Sequence, residues 1–244
     1  MDIKETDILG ANLSGHWYYR SKAKAMMTLL ADSSHSTILD VGAGSGYFSR
    51  YLLSNSSARE AWCVDISYAA ESDTKELDKP LHFRRAIGSL DADLVLLMDV
   101  LEHVDDDAGL LREYASKVPP GTRFLISVPA FQFLWSSHDV FLEHKRRYRL
   151  SQIEGVARDA GLNVKHGVYY FGAVFPIAAT IRLAGNWTRK ESSPPRSHLS
   201  RHHPLVNATL TALSWLELPL MRVNRLAGLT AFCLAEKACV ACQQ

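Results

Sequence analysis

The sequence predicts an α/β sandwich: a seven-stranded sheet with helices on both faces, parallel except for its last strand. Two stretches carry that prediction. In residues 37–52 an apolar run (Ile38, Leu39, Val41) meets glycines at 42, 44 and 46, and a helical pattern opens at Tyr47, which reads as strand, tight turn, helix. A second apolar run, Leu94 to Met98, ends at Asp99 and turns toward a helix opened by Asp105, Asp106 and Asp107, acids that favour a helix N-terminus.

The 244 residues suffice for one such domain with insertions and a sizeable core. A net charge of +1 points to no nucleic-acid partner. The opening residues are polar and charged, and no apolar stretch reaches the length of about 18 residues that a spanning helix needs; a cytoplasmic location is expected. Cys239 and Cys242, with Cys233 nearby, lack the second pair of close ligands of a zinc site, and the C-terminal tail reads as frayed.

Residues 7–31 are expected to be helical. Gly15 and His16 lead into the aromatic run Trp17, Tyr18, Tyr19, followed by a core stripe of Ala23, Met26, Met27 and Leu30. The glycines of the next loop permit φ > 0 and close approach of a ligand to the backbone. A pyrophosphate loop would carry its third glycine where Tyr47 stands. Asp40 would repel a pyrophosphate but could receive an ammonium group, so the loop suits a nucleoside with a cationic amino-acid arm better than NAD. A nicotinamide-dependent oxidoreductase is the weaker rival.

Ala61 to Ile66 is the second strand. Its Asp65, about 20 residues past the loop, can accept from ribose hydroxyls or cap a following helix. Leu81 to Arg85 is the third strand. The fourth places Asp99 at its carboxyl end beside the first, where open α/β sheets bind ligands. Thr122 to Val128 is the fifth, entered through the turn Pro119-Pro120-Gly121.

Residues 129–148 are too long and polar for a simple connection and read as a lid or substrate loop. They carry Trp135, His138, Asp139, His144, Lys145, Arg146, Arg147 and Tyr148. A histidine oriented by an acid can take a proton from a hydroxyl; the same residues can instead ligate a metal or tie the loop down. The basic run meets a phosphate or carboxylate of a substrate, or it is a solvated face. Ser151 and Glu154 form a capping box for a helix that Gly161 ends.

Leu162 to Phe171 and Gly228 to Glu236 are the last two strands, a hairpin split by an insertion. Within it, Val174 to Leu183 is apolar, Thr188 to His203 is basic and too polar to bury much surface, and Pro204 to Leu226 is helix-like. Pro176, Glu217 and Pro219 argue against a membrane span, leaving a substrate cover or an interfacial membrane contact. The expected divisions are 1–35 (cap), 36–171 (core), 172–227 (insertion) and 228–244 (last strand and tail).

The run Leu-Asp-Val-Gly-Ala-Gly-Ser-Gly at 39–46 resembles motif I of class I S-adenosylmethionine-dependent methyltransferases. Asp-Val-Leu-Glu-His-Val at 99–104 resembles motif IV of the small-molecule members. The resemblance implies a Rossmann-like core that binds S-adenosylmethionine and releases S-adenosylhomocysteine. It implies cofactor contacts from Asp40, Gly42, Ala43, Gly44, Gly46, Tyr47, Asp65, Ile66, Asp99 and Val100, with Asp65 on the ribose and Ile66 against adenine. The family commonly places an acid on the adenine amino group after the third strand; here that region reads Arg84-Arg85-Ala86-Ile87, leaving the role to backbone groups around Ala86 and Ile87.

The aromatic run at 16–19 resembles the cap helix of bacterial methyltransferases, which implies Trp17 and Tyr18 over the pocket. For Glu102 and His103 three readings stay open. They are a structural pair, site groups, or, by resemblance to ubiquinone-pathway O-methyltransferases, part of a divalent-metal site with Asp99; no metal is counted among the expected cofactors. Residues 128–148 resemble bacterial methyltransferases associated with polysaccharide and glycolipid assembly. The expected reaction is methylation of an oxygen on a small or lipid-linked saccharide-type acceptor. His138, His144 or His103 would be the base, and Trp17, Tyr18, Trp135, Asp139, Arg147 and Tyr148 would line the acceptor side. A cofactor-binding protein without catalysis is the other rival, and contact with the inner membrane face through 172–227 is the alternative to a freely cytoplasmic enzyme.

Overall fold

The computed structural model describes residues 10–188 and 203–238. Its sheet has eight strands, β1 (Thr37–Val41), β2 (Glu60–Val64), β3 (Ser72–Glu76), β4 (Lys79–Arg84), β5 (Leu94–Met98), β6 (Arg123–Pro129), β7 (Leu162–Tyr170) and β8 (Thr230–Lys237). They run in the order β3-β4-β2-β1-β5-β6-β8-β7. The expected seven are present, and β8 runs antiparallel to both β6 and β7. The eighth, β3, is an edge strand antiparallel to β4, so the last strand is not the lone antiparallel one. The two turn residues between them, Leu77 and Asp78, both have positive φ (48° and 63°), the backbone of a two-residue hairpin turn. Leu-Asp carries none of the Asn-Gly signal that announces such a turn, and β3 is itself polar and exposed.

Among the described residues eight helices flank the sheet: α1 (Trp17–Leu30), α2 (Tyr47–Asn55), α3 (Asp107–Ser116), α4 (Ser137–Phe141), α5 (Leu150–Asp159), α6 (Phe175–Thr188), α7 (Pro204–Leu216) and α8 (Leu218–Met221). Alternation along the strands sends side chains to opposite faces. Ile38, Leu94, Leu96 and Phe232 pack with Met26 of α1 and Phe48 and Leu52 of α2. Leu39, Val95, Leu97 and Ile126 pack with Leu111 of α3 and Ile153 of α5. β5 is buried along its whole length, which is why it reads as an unbroken apolar run.

Several boundaries differ from expectation. The N-terminal helix is not continuous: a 3-10 turn at Gly10–Gly15 precedes α1, and His16, in extended conformation, accepts from Tyr18 N–H and restarts the helix. Ser151 is not the cap of α5. Arg149 holds that position and Gln152 Oε1 accepts its N–H (2.7 Å), while Glu154 turns to Arg225 (2.8 Å) and Arg158. Gly161, at φ 80°, ends the helix as expected. Residues 7–9 of the N-terminal segment, 189–202 of the basic segment, and Cys239 and Cys242 lie outside the described residues. Among the described residues no helix is long and apolar enough to cross a membrane.

Candidate active site

β1 delivers the chain into the glycine turn. Gly42, Gly44 and Gly46 take φ of 65°, 53° and 71°, and Gly46 caps the N-terminus of α2. A Cβ on Gly42 would stand 2.7 Å from Val100 Cγ2, so glycine lets the loop lie against the end of β5. Ala43 is buried beneath it, and Tyr47 packs edge-to-face on Tyr19 of the cap helix (5.7 Å). Asp40 is buried in β1, with Ser49 Oγ donating to its Oδ2 (2.8 Å); burial outweighs that bond and pushes its carboxyl up to about 6.

Asp65 braces the same loop. It accepts from Gly44 N–H (3.0 Å) and Ser67 N–H (3.0 Å), and from the Ser67 hydroxyl. Tyr68, which the sequence did not single out, donates from its hydroxyl to Gly44 O (2.7 Å). Next to Asp65, Ile66 is 84% exposed, an apolar side chain bare at the carboxyl end of the sheet; Ala86 is exposed and Ile87 half-buried after β4. A left-handed glycine loop at a helix N-terminus, a carboxylate at the end of β2 and a bare apolar side chain beside it fit a nucleoside.

Asp99 has φ 57° and is paired with a cation that the sequence reading missed. Lys22 of α1 is fully buried and donates to Asp99 Oδ2 and to the Tyr18 hydroxyl (3.3 Å); Ser127 Oγ approaches Asp99 Oδ1 (3.3 Å). Burial would lower the Lys22 ammonium, but the Asp99 carboxylate beside it overrides this and holds it above its usual range. Burial would likewise raise Asp99, and Lys22 holds it below. The signal was there: Lys22 stands four residues from Tyr18 and four from Met26, inside the buried stripe of a helix.

The loop after β6 is strapped across the end of β5. Ala130 bridges Tyr148, and Lys145 N–H donates to Glu102 O (2.7 Å). Lys145 pairs with Asp105, and Arg146 reaches Asp107 (3.3 Å) and the carbonyls of Val104 (3.1 Å) and Asp105 (2.9 Å). The basic run thus clamps the acids that open α3. Arg146 and Arg149 also line a cleft of about 590 Å³ with Gln132 and Gln152.

This strapping sets His144 edge-to-face on His103, ring centres 4.8 Å apart. Asp139, fully buried, accepts from His144 Nδ1 (3.0 Å), Arg147 Nε (2.6 Å), Ser136 N–H (2.8 Å) and Ser136 Oγ (3.1 Å). Burial acts to raise its carboxyl; the bonds from His144 and Arg147 outweigh that and hold it well below the usual carboxylate range. Burial, reinforced by His144, lowers His103 to about 4. Glu102 is fully buried, and neither carboxylate oxygen has a hydrogen-bond partner among the described residues; burial, then Asp99, raises it well above the usual range. Ligand atoms of Glu102, His103 and His144 lie within 4.8 Å of one another, a set able to hold a divalent cation, whereas Asp99 is engaged by Lys22.

The remaining expected residues fall into two groups. Arg147 and Tyr148 are buried in intramolecular bonds, Arg147 also donating to Ala130 O (3.1 Å) and the Tyr148 hydroxyl to Asp107 Oδ2 (2.8 Å) and Leu101 O (3.1 Å). Both also line the cleft of Gln132 and Arg149, while Asp139 is held by Arg147 and His144. Trp17, Tyr18, Trp135 and His138 are half-buried. Tyr18 stacks on Phe171 (5.3 Å) and Trp17 meets that ring edge-on (5.3 Å), while His138 is outside the Glu102–His103–His144 cluster.

The model of a methyltransferase-domain family matches residues 15–166, a span holding every site residue named above except Phe171. No curated protein sequence matches the chain. Solved structures share the fold at low identity. A methyltransferase bound to the Trm112 activator in Haloferax volcanii superposes with TM-score 0.58 at 18% identity, over 98% of this chain and 99% of that one. A methyltransferase structure from Bacillus halodurans gives 0.56 at 10% identity over 90% and 100%. The Haemonchus contortus phosphoethanolamine N-methyltransferase 2, solved with S-adenosylmethionine, gives 0.55 at 18% over 97% of this chain and 57% of that one. With the family match covering more than half its length, the chain belongs to the methyltransferase-domain family and is a class I S-adenosylmethionine-dependent methyltransferase.

Proposed function

We propose that the enzyme methylates an oxygen of a small or lipid-linked saccharide-type acceptor, with His144 as the base. The observation that carries this is the bond between Asp139 Oδ1 and His144 Nδ1. A fully buried carboxylate on Nδ1 fixes the ring and leaves Nε2 as the nitrogen that takes a proton. His103, kept neutral by burial, lies beside it. S-adenosylmethionine supplies a methyl group already activated by its sulfonium. Gly42, Ala43, Gly44, Gly46 and Tyr47 form its cradle, Asp65 takes the ribose hydroxyls, Ile66 covers adenine, and Asp40, Asp99 and Val100 floor the site. Trp17, Tyr18 and Trp135 line the acceptor side. Holding nucleophile and donor aligned contributes roughly 7–11 kcal/mol in near-attack geometry.

Replacing each histidine by alanine and measuring turnover at saturating donor tests the assignment. His144→Ala should lower kcat by about 10²–10⁴-fold, with the donor-induced rise in Tm retained, and His138→Ala should stay near wild type. Near-normal turnover in His144→Ala would remove His144 from the reaction.

A second reading rests on the unpartnered oxygens of Glu102: a divalent cation held by Glu102, His103 and His144 would satisfy them and polarise the acceptor oxygen. Turnover unchanged by EDTA would dismiss it; loss restored by added Mg²⁺, Mn²⁺ or Zn²⁺ would favour it over the free base.

A further inference from the structure

In sequence, α7 and the segment after it carry an apolar stripe that an ordinary surface helix would turn inward. The structure turns it out. Leu205, Leu216, Leu220, Val223 and Leu226 are between 68% and 89% exposed. The inner face of α7 is mostly polar: Asn207, Thr211 and Ser214, spaced four and three residues apart, share it with Leu210, which packs on the core beside α1. Asn207 Oδ1 accepts from Trp17 N–H (2.8 Å) and its Nδ2 donates to Gly15 O (3.0 Å). Thr211 and Ser214 are buried, and Ser214 O accepts from the Tyr170 hydroxyl (2.9 Å). Rolling the leucines inward would take Asn207 from the Trp17 N–H and Gly15 carbonyl and the Ser214 carbonyl from the Tyr170 hydroxyl, so the outward stripe is a property of the packed helix.

Two cations border the stripe on the α1 side. Arg20 and Lys24 of α1 lie over the ring of Trp215, at 5.3 and 5.7 Å. α6 also exposes Ile177 and Ile181. An apolar helix face bordered by cations, with a tryptophan at the boundary, matches a surface that lies in the plane of an anionic bilayer.

We propose that the exposed face of α7 and α8, continued to Leu226, docks the enzyme on an anionic lipid bilayer, with Arg20 and Lys24 at its border meeting the headgroups. The proposal deepens the lipid-linked reading of the acceptor, and its test reads binding alone, so failure here leaves methyl transfer standing. Full-length protein is floated with vesicles of phosphatidylcholine alone and of phosphatidylcholine with an equal part of phosphatidylglycerol. Wild type should bind the anionic vesicles, less so as salt rises. The double variant Leu216→Glu, Leu220→Glu should lose binding by on the order of tenfold or more, with Tm and the donor-induced shift retained as proof of folding. Reversing Arg20 and Lys24 to glutamate should weaken the preference for anionic vesicles. Absence of binding, undiminished binding of the leucine variant, equal binding to neutral vesicles, or a dimer that the leucine variant splits in place of lipid binding would each overturn the proposal.

Discussion

Lys22 enters the site as a buried cation with one carboxylate partner, and the pair stands or falls together. Removing one member of a buried ion pair leaves the other desolvated and costs about 3–5 kcal/mol. At about 2–4 °C per kcal/mol for a chain of this size, Lys22→Met should lower Tm by roughly 10 °C in a thermal melt. His103 and Asp40 predict opposing pH effects. His103 titrates near 4 when folded against 6.5 ordinarily, so between those values the unfolded chain binds the proton and acid lowers stability. Asp40, raised to about 6 from 3.8, is protonated first in the folded state, so acid raises stability across that window. Melts from pH 7 to 4 should therefore show a shallower fall in His103→Asn and a steeper one in Asp40→Asn than in wild type.

At the level of elements, the β3–β4 hairpin holds Leu77 in the left-handed region, which costs a branched residue about 1–2 kcal/mol. Leu77→Asn keeps the turn with a residue that tolerates it, and should raise stability by about 1 kcal/mol, read as a higher urea midpoint with unchanged slope. Glu217, between α7 and α8, looks in sequence like a charge spoiling an apolar stripe. It accepts from Gly172 N–H (3.1 Å) and Ala173 N–H (2.7 Å) ahead of α6, and so ties both ends of the insertion together. The loop 130–148 is fastened by ion pairs to the acids after β5, so its histidine is placed by contacts across the fold and not by its neighbours in the chain.

For the molecule as a whole, the proposed donor and acceptor halves of the site are built from different kinds of information. Donor binding should appear as thermal stabilisation: ligand at 100 times Kd contributes about 2.7 kcal/mol, several degrees at this size, with S-adenosylmethionine or S-adenosylhomocysteine and not with NAD. The proposed donor half was legible in the sequence because it is local. Asp40, the three glycines and Tyr47 belong to one strand, turn and helix, and Asp65 and Asp99 stand at the ends of apolar strands whose order the fold dictates. Apolar periodicity likewise revealed the seven main strands, since each buries a face or a whole run. Only the tertiary structure decided the rest. A polar edge strand on a Leu-Asp turn has no periodic signature, Lys22 reaches Asp99 across 77 positions, and His144 meets His103 because cations at 145 and 146 find acids at 105 and 107. The stripe on α7 was visible as a stripe, but the side of that helix facing the protein is the one where Asn207 meets Trp17 N–H and the Ser214 carbonyl meets the Tyr170 hydroxyl, which leaves Leu205 and Leu216 exposed and only Leu210 packed on the core.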